Sequence, residues 1–351
     1  MDWMLYGANG YTGALIARRA ESEGKSPILA GRNARAIAAL SEELQLPSRV
    51  FSLESPAAIE EGLRGLSLVL HCAGPFSTIA LPMMRACIAA RVHYLDITGE
   101  IAVFESAHRL DADAKAAGVI LCPGVGFDVV PTDCVALMLK QALPEAAELS
   151  LGFDMTARNM SKGTAKTFVE GMGRSGMVRR GGRLVEFPIG RGERRIDFGR
   201  GERLAMPVPW GDVSTAYYTT GIPNITVFAP VSRRSAAFAR LNSVFAPLLR
   251  SDAIQNWLKS WTEKNVKGPD AKTREANKCW VWGEATDANG RRKTIRIATL
   301  EGYSLTVVAA LAAAEHVLAN KCSPGFWTPA ALMGADFILT LPGSSLLNSP
   351  Q

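Results

Sequence analysis

At 351 residues the chain exceeds one typical hydrophobic core and suits about two domains of roughly 150 residues each. A composition of 48% hydrophobic and 21% charged residues excludes disordered, collagen-like and low-complexity classes. The 39 basic side chains against 33 acidic ones leave a net charge of +6, too small a surplus to indicate nucleic acid by itself and compatible with an anionic cofactor or substrate.

In the first 123 residues, short apolar runs alternate with helix-like stretches. The runs are Trp3–Tyr6, Pro27–Ala30, Arg49–Leu53, Leu66–Cys72, Val92–Ile97 and Val119–Cys122. The stretches are Thr12–Glu23, Ala34–Leu44, Leu81–Ala90 and Ala102–Ala117. Within the second of these, Ala36, Ile37, Leu40 and Leu44 recur at helical spacing, with Arg35, Glu42 and Glu43 off that face. Strands joined by helical crossovers predict an α/β fold with a doubly wound parallel sheet.

The pattern changes near Pro131. Leu149–Phe153, Arg183–Ile189, Arg194–Phe198 and Asn224–Phe228 read as strands, Ala236–Lys264 as helices, and Cys279–Ala285 with Lys293–Leu300 as a hairpin turning at Asn289-Gly290. These predict a second α+β domain built on a mostly antiparallel sheet. An alanine-rich helix over Ser304–Asn320 follows. The expected division is 1–130, 131–300, and a C-terminal segment 301–351 that returns to the first domain.

The cysteines (Cys72, Cys87, Cys122, Cys134, Cys279 and Cys322) form no CxxC pair, and the four histidines (His71, His93, His108 and His316) form no HxH or HxxxH. Free thiols and no metal site are expected. The N-terminus leaves no room for a secretory leader, and the apolar run Leu305–Ala314 is too short for a bilayer, which needs about 20 residues. A cytoplasmic protein without an integral membrane segment is the expectation.

The motif that carries chemistry is Gly7-Ala8-Asn9-Gly10-Tyr11-Thr12-Gly13, between the first strand and the first helix. Gly7 permits a sharp turn, Gly10 a close approach to a pyrophosphate, and Gly13 close packing of helix on sheet. The exposed N–H groups and the helix dipole then attract the phosphates, and Asn9, Tyr11 and Thr12 of this turn are cofactor-binding candidates with the glycines. This is a Rossmann dinucleotide site. The second strand ends in Leu29-Ala30-Gly31-Arg32, with no carboxylate to bind a ribose hydroxyl. Arg32 can take a 2′-phosphate bidentately, so NADP(H) is expected over NAD.

With that motif and Leu29-Ala30-Gly31-Arg32 stand Cys72-Ala73-Gly74-Pro75-Phe76, Tyr94-Leu95-Asp96-Ile97-Thr98-Gly99-Glu100 and Pro123-Gly124-Val125-Gly126-Phe127-Asp128, in that order. On these residues the chain resembles the saccharopine dehydrogenase-like oxidoreductases, and within them the trans-acting enoyl reductases. The likeness is specific over about residues 3–135, thins in the middle and returns at Gly302-Tyr303-Ser304-Leu305-Thr306 and Gly325-Phe326-Trp327-Thr328-Pro329-Ala330. It implies that Ala73, Gly74 and Pro75 run along the cofactor and that Thr98 and Gly99 approach its nicotinamide. It delivers no substrate, because no cationic set for saccharopine's carboxylates can be matched.

Asp128 reads either as an acid or base or as the cap of a helix near Thr132. Asp96 and Glu100 read as acids or as loop and cap residues. Lys162, in Arg158–Thr167, could meet an anionic or thioester oxygen, or simply lie at a solvated helix start. Nine arginines between Arg174 and Arg203 face four acids, Glu186, Glu193, Asp197 and Glu202, so this stretch carries +5. It could receive a phosphopantetheine carrier, an acidic partner or anionic lipid, or be a solvated hairpin; nothing there interleaves aromatics for nucleic acid. Phe168, Met172, Met177, Trp210, Tyr217 and Tyr218 are pocket-wall candidates or core.

These features point to an NADPH-dependent reductase acting on a carbonyl, imine or activated alkene of a fairly apolar small molecule, acyl or anionic. The alternatives are an aminoadipate-type amino-acid dehydrogenase and a non-catalytic NADP-binding sensor. A homodimer through the second sheet is expected by fold analogy.

Overall fold

The computed structural model describes residues 2–156, 160–235, 246, 248–319 and 322–347, in two compact units. Met1–Val130 and Tyr303–Gly334 make the first; Pro131–Gly302 and Ala335–Gln351 make the second.

In the first unit, strands β1 (Trp3–Tyr6), β2 (Ile28–Gly31), β3 (Ser48–Val50), β4 (Leu68–His71), β5 (His93–Asp96) and β6 (Ile120–Cys122) are all parallel. A short strand at Gly325–Phe326 joins β6, giving the order Gly325–Phe326, β6, β5, β4, β1, β2, β3. Met4, Tyr6, Val69, Tyr94 and Leu121 pack to one side with Met83, Met84 and Val103. Leu5, Leu29, Leu70, Leu95 and Cys122 pack to the other with Ile16, Ile37 and Leu311. Continuous apolar strands without alternation are what a sheet covered on both faces requires.

Crossovers are supplied by α1 (Tyr11–Ser22), α2 (Ala34–Leu44), α3 (Pro56–Leu63), α4 (Phe76–Ala90), and the pair α5 (Ile101–Arg109) and α6 (Asp111–Ala117). Three differ from the sequence expectation. Helix α4 starts at Phe76 rather than Leu81 and carries Pro82 inside it; the Phe76 N–H is bonded by Glu100 from another loop. The stretch 102–117 breaks at Leu110, and Asp111 Oδ1 accepts from Phe326 N at 2.9 Å, tying in the added edge strand. Helix α3 was not expected, although Ser55 accepts from Ala58 N and Pro56 occupies the first turn, both ordinary helix-start signals.

Helix Gly302–Ala319 is, among the described residues, long and apolar enough to cross a membrane by length and composition. Half of it is buried within the protein, with Val307, Ala310, Leu311 and Ala314 in the core of the first unit.

The second unit opens with α7 (Val130–Ala142) and carries β7 (Ala146–Met155), β8 (Gly176–Arg180), β9 (Arg183–Phe187), β10 (Arg194–Asp197), β11 (Glu202–Pro207), β12 (Asn224–Pro230), β13 (Lys278–Asp287) and β14 (Arg292–Leu300). The sheet runs β10, β11, β12, β7, β13, β14, then a short strand Ser345–Leu346, with β8 pairing β12 and β9. Among the described residues of this sheet, only the β12–β7 pair is parallel. Helix α7 lies so close to Gly283 that a Cβ there would meet Val135 Cγ1 at 2.5 Å. Residues 335–347 pack with this unit rather than with the first, because Leu346 pairs with Ile297 and Gly343 sits on Leu300. Of the helices expected over Ala236–Lys264, 236–245 and 247 lie outside the described residues; Asp252–Asn265 is helical.

Candidate dinucleotide site

The loops that follow β1, β4, β5 and β6 leave the carboxyl ends of adjacent strands, where open α/β sheets bind ligands. Gly7 has φ +82°, and the N–H groups of Gly7 and Ala8 both donate to Ala30 O, at 2.7 and 3.1 Å. A Cβ on Gly7 would lie 2.6 Å from Ala73 N, so the loops after β1 and β4 touch through backbone. Gly10 precedes α1 and offers no side chain to cap it, and the first turn holds no acid. The N-terminus of α1 thus has no side-chain cap, as a helix that receives an anion requires.

Gly13 is needed most strictly, since its Cβ would fall 2.2 Å from Gly7 O. Thr12 stands in the same first turn, and the ring of Tyr11 meets that of Tyr303 edge-on at 4.9 Å.

Asn9 and Gly31 adjoin, as a Cβ on Gly31 would be 2.8 Å from Asn9 Oδ1. Arg32 is exposed and makes no hydrogen bond or ion pair with any described residue. Asn33 caps α2 by accepting from Ala36 N at 3.1 Å, and the first turn of α2 has no acid. A doubly charged 2′-phosphate would find a guanidinium and a helix N-terminus, with no carboxylate on Arg32 or in that first turn. The residues fit NADP.

Ala73 and Gly74 lead to Pro75, which stands at the N-cap of α4 after a cis Gly74–Pro75 bond. The β5 loop is organised by Asp96, fully buried. Its Oδ1 accepts from Thr98 N and Gly124 N, both at 2.9 Å, and Oδ2 from Tyr94 Oη at 2.7 Å. Burial pushes its pKa up to about 6 against those three bonds. Asp96 is therefore a knot joining the β5 and β6 loops, signalled in sequence by an Asp two residues before a Thr at a strand end. Thr98 Oγ1 accepts from Glu100 N at 3.1 Å.

Glu100 Oε1 accepts from Phe76 N at 3.0 Å, so this carboxylate caps α4. Asp128 stands two residues before α7, and a Cβ on Gly99 would be 2.8 Å from its Oδ2. The carboxyl therefore rests on Gly99, and burial raises its pKa to about 6. Its loop is held by Thr306, whose Oγ1 accepts from Phe127 N at 3.0 Å and whose methyl faces Gly126. Only the resemblance around Gly302–Thr306 hinted at that support.

The remaining candidates lie elsewhere. Lys162 begins the helix Lys162–Gly171, is exposed and pairs with Glu263 at 3.2 Å beside Lys166. Arg158 and Asn159 lie outside the described residues. Phe168 is 64% exposed, Trp210 stacks on Phe153 at 4.4 Å, and Tyr217 underlies the buried Arg179 guanidinium at 4.2 Å. The arginine-rich stretch is not a uniform solvated face: Arg179 donates to Val213 O and Gly182 O, Arg194 pairs with Glu284 over Trp282, and Arg195 meets Glu202.

A glycine-lined phosphate cradle, an acid-free second strand and a parallel sheet define an NADP-dependent oxidoreductase. Residues 3–122 match the family described as the saccharopine dehydrogenase NADP binding domain. It is 24% identical over 411 residues to a trans-acting enoyl reductase of Mycobacterium bovis, covering 99% of this chain and 96% of that protein. It is 30% identical over 202 residues to one of Mycobacterium ulcerans, of whose length the match spans 48%. Among solved structures it is similar in fold to saccharopine dehydrogenase (L-Glu forming) of Saccharomyces cerevisiae, with a TM-score of 0.65 at 10% identity, covering 99% and 100% of the two chains. A homospermidine synthase of Legionella pneumophila, solved in complex with NAD, gives 0.63 at 9%, covering 99% and 91%.

Proposed function

We propose that this protein is a cytoplasmic NADPH-dependent reductase that delivers hydride to an activated alkene, carbonyl or imine of a fairly apolar acyl-type substrate, with Asp128 as the group that handles the proton. The observation that carries this is the convergence of Gly99 and Asp128 at the carboxyl ends of β5 and β6. The enoyl reductase names of relatives matching along the whole chain favour the alkene. Six free cysteines suit a reducing compartment.

In this reading Gly7, Gly10 and Gly13 shape the cradle, Asn9, Tyr11 and Thr12 line it, and Gly31 with Arg32 receives the 2′-phosphate. Ala73, Gly74 and Pro75 flank the dinucleotide; Thr98 and Gly99 border its reactive end. The bound dinucleotide supplies the hydride. Asp128, with a pKa near 6, is partly protonated just below neutrality and so can give a proton to the atom next to the hydride-accepting carbon: Cα of an enoyl group, the oxygen of a carbonyl or the nitrogen of an imine. Asp96 and Glu100 hold the loops on which Asp128 rests.

The test follows nicotinamide absorbance with an enoyl thioester as acceptor. NADPH-dependent turnover should fall as pH rises through about 6, the direction set by loss of the protonated form. In Asp128→Asn that limb should vanish and kcat drop by about 100-fold or more. A variant with the parent rate and pH profile would remove Asp128 from the chemistry, and turnover of an amino-acid imine alone would favour the dehydrogenase alternative.

A further inference from the structure

The second unit holds an arrangement of arginines that the dinucleotide site does not use. Between β10 and β11 the chain makes a Gly199-Arg200-Gly201 turn, with φ +110° and +90° at its glycines. Asp197 Oδ1 fixes it by accepting from Gly199 N at 2.9 Å and Gly201 N at 3.0 Å. A Cβ on Gly199 would lie 2.5 Å from Leu347 Cδ1, 3.4 Å from Trp280 Cδ1 and 3.8 Å from Arg296 Cδ, so the turn packs on all three side chains. Arg296 Nε donates to Asp197 O at 2.7 Å. The Arg200 guanidinium lies 4.8 Å from the centre of the Trp280 ring.

Opposite Trp280 in the ladder is Asp154, whose side chain is 5% exposed. Arg200 Nε and Arg203 Nε both approach its Oδ2, at 3.4 and 3.5 Å, and that oxygen accepts no hydrogen bond. Neutralising one carboxylate needs one guanidinium, set fork-on at about 2.7–2.9 Å. Here two come side-on and too long. The terminal nitrogens of Arg200, Arg203 and Arg296 bond no described residue. Three guanidinium charges thus stand against Asp154 and Asp197, leaving one positive charge in a half-buried setting beside an indole face. Like charges held this close are costly unless an anion joins them.

We propose that Arg200, Arg203 and Arg296 around Trp280 form a binding site for a singly charged oxyanion, a carboxylate or a phosphodiester, carried on an apolar molecule. The free forks bind the oxyanion bidentately and Trp280 takes the adjoining apolar surface.

The test is a titration of the NADP-saturated protein with benzoate and, separately, diethyl phosphate, following the indole N–H resonance assigned by Trp280→Phe. Saturation in either arm supports the site and tells its source. Arg200→Gln with Arg203→Gln should weaken binding about tenfold or more, and Asp154→Asn, which frees both guanidiniums, should tighten it by a similar factor. No saturable shift with either probe, or binding indifferent to all three substitutions, would overturn the proposal and leave the arginines as partners of Asp154 alone.

Discussion

Gly13→Ala should abolish NADPH binding and lower the stability of the first unit by about 3 kcal/mol or more. The new Cβ would be placed 2.2 Å from Gly7 O and 3.0 Å from Ala8 Cα, both backbone atoms without a rotamer to yield. Relief requires α1 to lift from the sheet or the Gly7 turn to open. Either moves the amides at Tyr11 and Thr12 away from the positions that a pyrophosphate needs. Gly10→Ala meets only Gly7 O at 3.2 Å and should keep the fold while weakening the nucleotide, through bulk where the phosphate approaches. Urea unfolding and NADPH titration separate the two effects; a Gly13→Ala protein with parent affinity would show that the loop does not hold the dinucleotide.

Asp96→Ala should be the other severe change, costing about 4 kcal/mol, because Thr98 N, Gly124 N and Tyr94 Oη all lose their acceptor in a buried setting. Asp96→Asn keeps an acceptor for the two amides, and Tyr94 Oη can turn to His71 Nδ1, 3.2 Å away, so its cost should stay near 1 kcal/mol. The pair also differ in pH response. Burial raises Asp96 and Asp128 from 3.8 to about 6, so between those values the folded protein binds protons that the unfolded chain has released. Stability from these groups is complete below about pH 4 and lost as pH rises through about 6. Asp96→Asn should remove its share of that slope. An unchanged slope in urea unfolding across this window would deny the assignment.

The first unit was legible because its signals are local. Glycines at 7, 10 and 13 between an apolar strand and a helix admit few structures, and Leu68–His71 or Trp3–Tyr6 can be buried on both faces only in a covered parallel sheet. What was missed depends on partners distant in sequence. Glu100 caps a helix starting at Phe76, and Asp111 holds Phe326. Neither acid carries a local mark of its partner. Helix Pro56–Leu63 was there to be read from Ser55 and Pro56; helix Asp212–Thr220, with Gly221 at φ +71° after it, was overlooked among strand-like neighbours. The roles of the arginines also had to wait for the fold. The same residue type is buried against Tyr217 at position 179, bridges to Glu284 at 194 and crowds Asp154 at 200 and 203. Composition gave only their net charge.

Arg32, just after β2, should make the protein select NADP(H) over NAD(H). The measurement is fluorescence titration of parent and Arg32→Ala proteins with NADPH and with NADH. The parent should bind NADPH tightly and NADH weakly, and the variant should lose about 100-fold for NADPH with little change for NADH, which has no 2′-phosphate for the guanidinium to meet. Equal affinity for both nucleotides in the parent, or NADPH binding untouched by the substitution, would contradict it.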